Sequence, residues 1–166
     1  MTLVCPTDVV EAPVEVVWGL LTDPAGWGGF FDLRVREVHP PGPAHVGQRV
    51  VAESGPQFLH LKVSLEFTRI DATHHRLGLR VALPLGVVVR EDMSCVALEA
   101  GRCRVTYGCA FSFPAGLRGS IARALLGREV QAGPIESLAR LKAFAERSHR
   151  LTLVDRDDTP DVAQSR

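Results

Sequence analysis

The sequence predicts an α+β fold in which an antiparallel sheet faces one long C-terminal helix across a cavity. Three observations carry that expectation. Apolar and polar residues alternate with period two through most of Phe31 to Phe113, turn residues interrupt the alternation at short intervals, and a helical apolar pattern runs from Gly116 to Arg150. With 166 residues the chain is expected to be a single domain able to bury a substantial core without disulfides or metals. The domain is placed at 1–150, and the polar stretch 151–166 is read as a disordered tail.

The first element is a strand, Thr2 to Glu11, rich in Val and Thr, with Pro6 marking an edge or a bulge. Pro13 suits the first position of a helix, where its missing N–H costs nothing, and Val14, Val17, Trp18 and Leu21 then form one stripe. Asp23-Pro24 repeats the device as N-cap and first residue of a second short helix, which carries Trp27 and is ended by Gly26, Gly28 and Gly29. About six strands follow. Phe31, Leu33 and Val35 alternate with charged neighbours, the loop His39 to Pro43 can be neither helix nor ladder, and Gln48 to Ser54 is the next strand. Leu59 to Thr68 alternates most cleanly, Leu77 to Leu83 repeats the pattern, and Val87 to Glu99 and Arg102 to Phe113 flank a tight turn at Ala100-Gly101.

In the final helix, Leu117, Ile121, Ala124, Leu125 and Arg128 share one side. Beyond Gly133-Pro134 the pattern resumes with Ile135, Leu138, Leu141 and Ala145, its centre turned by roughly a quarter turn at about 100° per residue. Pro134 has no N–H for the carbonyl of Val130, so a kink or a short break is expected there. The helix is roughly 50 Å long at about 1.5 Å per residue, longer than a small core requires. A wide sheet must lie against it.

Composition narrows the function. Lys plus Arg and Asp plus Glu both total 19, so no overall basic excess recommends a nucleic-acid or anionic-membrane partner, and only a local patch would. The four cysteines, Cys5, Cys95, Cys103 and Cys109, have no CxxC spacing and are read as reduced thiols. His74-His75 is the only histidine pair and sits in a turn, so no metal site is expected. Met1 to Val10 lacks the basic start and long apolar run of a signal peptide, and no run approaches membrane-spanning length. A cytoplasmic protein without stable membrane insertion is expected. There is no GxSxG, GxxxxGK[ST] or HExxH spacing, and no catalytic residue or cofactor is assigned.

The order of elements, with VVEAPVEVVWGLLTDPAGW near the start, VGQRV at a strand entry and CVALEAGRCRVTYGCAFSF before the last helix, resembles the START-like or SRPBCC superfamily. That group includes lipid-transfer domains, birch-pollen-allergen-like proteins and polyketide cyclases. The resemblance covers nearly all of Thr2 to Arg147, and its most specific part is Ala12-Pro13, Val17-Trp18, Asp23-Pro24 and Trp27. It implies a helix-grip fold, in which a curved antiparallel sheet of about seven strands wraps a long C-terminal helix, with two short helices after the first strand. A hydrophobic ligand cavity lies between sheet and helix. No shared catalytic motif comes with it.

The residues facing that cavity depend on register. In the last strand the odd set Val105, Tyr107, Cys109, Phe111 and Phe113 is apolar and faces inward. A two-residue loop at Ala100-Gly101 pairs Ser94 with Tyr107, Asp92 with Cys109 and Arg90 with Phe111, and an even-length turn at Pro84-Leu85 gives the same face. Arg90, Asp92 and Ser94 would then point inward. A three-residue loop or a bulge would instead turn in Val87, Val89, Met93, Cys95 and Ala97 and leave Arg90 and Asp92 in water. The expected ligand contacts are Arg90, Asp92, Ser94, Tyr107, Cys109, Phe111, Leu65, Phe67 and Leu79 on the sheet, and Ile121, Leu125 and Arg128 on the helix. Arg128 would meet a carboxylate or phenolate of a ligand or snorkel to the mouth.

Three functions fit. The first is binding or carriage of a hydrophobic small molecule such as a lipid, an isoprenoid or a polyketide. The second is a cyclase- or aromatase-like enzyme with Tyr107 and Asp92 moving protons. The third is an interaction module whose core is filled by Phe58, Phe67, Phe111, Phe113 and Phe144.

Overall fold

The computed structural model describes residues 2–54, 61–99 and 101–157. The chain opens with β1 (Thr2–Val4) and β2 (Thr7–Val10), which pair successively with one strand, β8 (Arg102–Ser112). Pro6 sits at the break between them, and its carbonyl accepts the Tyr107 N–H at 2.9 Å. A proline that cannot donate is thus placed where the ladder needs only an acceptor. α1 (Val14–Leu21) buries Val14, Val17 and Leu21. Pro13 is the residue before its first turn rather than the first helical residue. The second short helix is a 3₁₀ helix, Pro24–Gly29, in which the three glycines lie inside the element and the Asp23 side chain makes no cap bond.

The sheet is completed by β3 (Leu33–His39), β4 (Arg49–Ser54), β5 (Leu61–Asp71), β6 (Arg76–Ala82) and β7 (Val88–Leu98). Its order is β1-β8-β7-β6-β5-β4-β3 with β2 also on β8, antiparallel throughout. Bulges at Val35/Glu37 and at Phe67/Arg69 interrupt the ladders. Such bulges bend a strand and raise its twist, as a sheet that wraps a helix requires. Leu59 and His60, expected at the start of β5, lie outside the described residues.

The long helix α2 is one element, Gly116–Asp157, unbroken through Pro134. It runs past position 150, so the first residues assigned to the polar tail are helical. Beyond the proline it buries Leu138, Leu141 and Ala145 against the sheet and α1. Each leucine contributes roughly 1.5–3 kcal/mol by burial. Phe144 packs on Phe30, with ring centroids 5.5 Å apart, and the Lys142 ammonium lies 3.0 Å from Asp8 on β2.

Before the proline the buried side is Gly119 and Ala122, with Leu126 partly buried beside them. Most of the expected face is turned the other way, with Leu125 at the border of the cavity. Leu117, Ile121 and Leu125 are 78%, 44% and 67% exposed, because close packing of the helix start selects its smallest side chains. At Gly119 a Cβ would stand 1.8 Å from the Pro114 carbonyl oxygen.

Candidate functional site

Between the inner sheet face and α2 lies a cavity of about 560 Å³. Leu65, Leu79, Val89, Met93 and Phe111 supply its apolar wall, and Leu125, Leu126 and Pro134 of α2 close over them. Trp27 and Phe31 form one end. Trp27 is fixed there because its indole N–H donates to the Leu21 carbonyl at 3.2 Å while its ring packs on Phe67 at 5.4 Å. The described side chains leave this space open, and Phe58 lies outside the described residues.

The register of β7 decides which polar groups enter. Leu98 pairs with Arg102, so three residues form the loop, and Gly101 takes the left-handed φ of 68° common at the end of such loops. At the other end Ala82 pairs with Val88, which leaves five residues in that turn, with Leu85 and Gly86 at φ of 63° and 79°. Both connections have odd length. The expected inward placement of Arg90, Asp92 and Ser94 is therefore overturned. Arg90 is exposed on the outer face between Arg80 and Ala110, Asp92 lies exposed between Gly78 and Gly108, and Ser94 sits on that same face between Arg76 and Thr106. Asp92 cannot join Tyr107 in proton transfer.

The same register turns Val89, Glu91 and Met93 inward, opposite Phe111, Cys109 and Tyr107. Among the described residues Glu91 is the one carboxyl deep in the cavity. Removal from water pushes its pKa from the usual carboxyl value up to about 7, and hydrogen bonding with Tyr107 moderates the rise. Tyr107 is buried, and its pKa is raised well above the ordinary phenol value by desolvation first and by the Glu91 charge second. The Cys109 thiol, also in hydrogen-bonding contact with Tyr107, is pushed far above the thiol range by burial and by Glu91. Near neutral pH Tyr107 and Cys109 stay protonated while Glu91 exchanges its proton.

The cavity opens where its lining is exposed, at Asp32, Glu136 and Arg140. The Arg140 guanidinium stands 3.6 Å from Asp32 and 3.5 Å from Glu136, a loose bridge between α2 and the segment entering β3. Among the described residues no three His, Cys, Asp or Glu side chains are placed to hold a metal ion.

Of the other expected contacts, Leu65, Leu79, Tyr107, Cys109, Phe111 and Leu125 do line the cavity. Phe67 lies behind Trp27 as packing, and Ile121 faces away from the cavity. The Arg128 side chain lies outside the described residues. Sequence reading missed Glu91 and Arg140, and gave Met93 only under the alternative register of β7. A signal for Glu91 existed: it is the one charged residue in the otherwise apolar odd-numbered set from Val87 to Ala97.

The family model for polyketide cyclase/dehydrase and lipid transport proteins matches residues 3–146. The chain belongs to this family. Its fold is shared with the Zhui aromatase/cyclase from Streptomyces sp. R1128, at TM-score 0.73 and 21% identity over 88% of this chain and 94% of that one. Norcoclaurine synthase from Thalictrum flavum, solved with dopamine and hydroxybenzaldehyde, gives TM-score 0.63 and 15% identity over 99% of this chain and 89% of that one. DynU16, a protein in the dynemicin biosynthetic locus, gives TM-score 0.61 and 21% identity over 89% of this chain and 48% of that one. No curated protein sequence matches. These likenesses establish the helix-grip fold and a family that handles hydrophobic ligands. No described helix is long and apolar enough to cross a membrane.

Proposed function

We propose that the cavity binds a small apolar molecule bearing carbonyl groups and that Glu91, assisted by Tyr107, performs acid–base chemistry on it. The observation that carries this reading is the single interior carboxyl among the described residues, Glu91, poised at about 7 and beside the chain's only tyrosine. A general base works best with a pKa near the operating pH. The Glu91 carboxylate removes a proton from the carbon between two carbonyls, and Tyr107 donates a hydrogen bond to the oxygen on which the enolate charge develops. That carbon attacks a second carbonyl of the same molecule, and protonated Glu91 gives its proton to the resulting alkoxide. Removal of a second proton from the same carbon by Glu91, and its delivery to the departing hydroxyl, releases water and restores the starting carboxylate. The aromatase/cyclase named among the structural neighbours supports this reaction class.

Benzoylacetone in heavy water provides the test, with deuterium uptake at its methylene followed by NMR. The protein should accelerate uptake, and Glu91→Gln should abolish the acceleration while probe affinity stays within about threefold, the pattern of a group acting in the transition state. Equal loss of binding and rate would remove Glu91 from the chemistry. The predominantly apolar wall favours a second reading, carriage of a hydrophobic molecule without turnover. In that case an apolar compound copurifies with the protein, and benzoylacetone exchange is not accelerated.

A further inference from the structure

A groove of about 450 Å³ lies between the end of α1 and the loop joining β3 to β4, and it shares no lining residue with the cavity beside Glu91. Its volume is that of a small-molecule site. Val38, Pro41 and Pro43 give it apolar walls. Gly19 and Gly42 keep it open: apart from chain neighbours and the α1 backbone, a Cβ at either would meet no described atom within 4 Å. Loops are ordinarily the mobile parts of a fold, but this one is held at both ends. The fully buried Gln48 side chain donates from Nε2 to the carbonyls of Pro40 and Gly42 at 2.8 and 3.0 Å, and the Ala44 N–H donates to the Thr22 carbonyl at 2.9 Å. The proline wall is therefore fixed against α1 before anything binds, which lowers the cost of binding.

The charge in this groove is unanswered. Asp23 is the one ionisable residue of its lining, and among the described residues its carboxylate forms no hydrogen bond or ion pair. It stands just past the C-terminal end of α1, where backbone carbonyls concentrate partial negative charge and a cation is the favoured neighbour. α1 has no basic residue in its last turn, and Ala12 to Leu33 contains three acids and no Lys or Arg. We infer that the groove binds a small organic cation, its ammonium group between the Asp23 carboxylate and the carbonyl end of α1 and its apolar body against Val38, Pro41 and Pro43. An anion would be repelled by both negative groups, and a neutral molecule would leave them as they are. The inference is independent of whether Glu91 is catalytic.

Cyclohexylammonium chloride, with cyclohexanol as its neutral counterpart, tests it in amide-resolved NMR titrations of the full chain. The ammonium should shift the amide signals of Thr22, Gly42 and Ala44 and bind at least about tenfold more tightly than the alcohol, the difference a charge-assisted contact supplies. Asp23→Asn keeps the shape of the side chain and should cost the ammonium at least about tenfold in affinity. Gly19→Leu should fill the groove and abolish the shifts. Its Cβ meets open space and leucine is the better helix former, so this variant carries the test even if Asp23→Asn unfolds. An ammonium that moves none of these amides, or moves those of Glu91 and Tyr107 instead, would overturn the inference. So would equal affinity for ammonium and alcohol, or a folded variant of either kind that binds the ammonium as wild type does.

Discussion

The Glu91 carboxyl and the Tyr107 hydroxyl meet inside the cavity as diagonal neighbours on β7 and β8, Glu91 pairing directly with Cys109 and Tyr107 with Met93. Both side chains are on the sheet, whose antiparallel ladders hold them in place more firmly than a loop would. Burial raises both pKa values, but because a carboxyl starts far below a phenol, Glu91 ends near neutrality and Tyr107 far above it. Glu91 near 7 can exchange a proton, and Tyr107 stays a donor.

Glu91 should make stability depend on pH. Its folded pKa of about 7 exceeds the unfolded value of 4.5, so between those limits the folded state binds more protons and stability falls as pH rises. The loss is complete above about 7 and amounts to about 3 kcal/mol at most, from about 1.4 kcal/mol per pKa unit. Urea unfolding of wild type and Glu91→Gln across this range is the measurement. The difference between the two proteins should change between pH 5 and 8 and level off on either side. A constant difference would mean that Glu91 ionises no less readily in the folded protein than in the unfolded chain.

Tyr107→Phe removes the group that moderates the Glu91 shift, so the Glu91 pKa should move further up, not down. Any rate that depends on the Glu91 carboxylate should then have its rising limb displaced to higher pH. Stability should drop by about 1–3 kcal/mol because a buried polar partner is left unmet. A pH profile of benzoylacetone exchange, together with thermal unfolding, separates the two effects. A limb that stays in place would show that Tyr107 does not contact the titrating carboxyl.

The fold was legible in the sequence because its signals are long: period-two runs, prolines and glycines at the turns, and a helical repeat before the tail. The site was half legible. The inner face of β8 follows from Tyr107, Cys109 and Phe111, an apolar alternation that leaves only one face for the core. The face of β7 does not follow from loop residues, because Ala100-Gly101 fits a two-residue hairpin and a three-residue loop alike, and one residue of slip exchanges Asp92 for Glu91. The apolar periodicity of β7 itself pointed the right way. On α2, Leu117, Ile121 and Leu125 form a true apolar stripe, but amphipathicity states only that a face avoids water, not what covers it. Gly119 and Ala122 win the inner side by size, which a hydrophobicity pattern does not register.

Gly119→Ala should therefore damage the protein more than helix propensity suggests. Alanine ordinarily gains about 1 kcal/mol over glycine inside a helix. Here its methyl carbon would stand 1.8 Å from the Pro114 oxygen and 3.0 Å from the Pro114 carbonyl carbon, both backbone, so the start of α2 must move. A net loss of about 1–3 kcal/mol is expected, as for other overpacking substitutions. Gly19→Ala inside α1 is the control, because apart from its chain neighbours and the helix's own backbone no described atom lies within 4 Å of the added carbon. Chemical denaturation of the two variants should give opposite signs, and equal stabilisation would show that the helix start has room to shift.

The cysteines should separate cleanly in a thiol titration. Cys5 is exposed, whereas Cys95, Cys103 and Cys109 are buried. Reaction requires the thiolate, and burial pushes Cys95 to about 12 and Cys103 to about 11, with Cys109 higher still through the added effect of Glu91. The native protein at pH 8 should therefore react with a disulfide reagent at about one thiol quickly and at about four only after unfolding. Cys5→Ser should remove the fast phase. Cys109 adds a check on the cavity: it lines the space yet holds its proton, so a small reagent that fits inside should still modify it slowly, and faster in Glu91→Gln, where the neighbouring charge is gone. Equal rates in the two proteins would mean that the Glu91 carboxylate does not act on the thiol across the β7–β8 ladder.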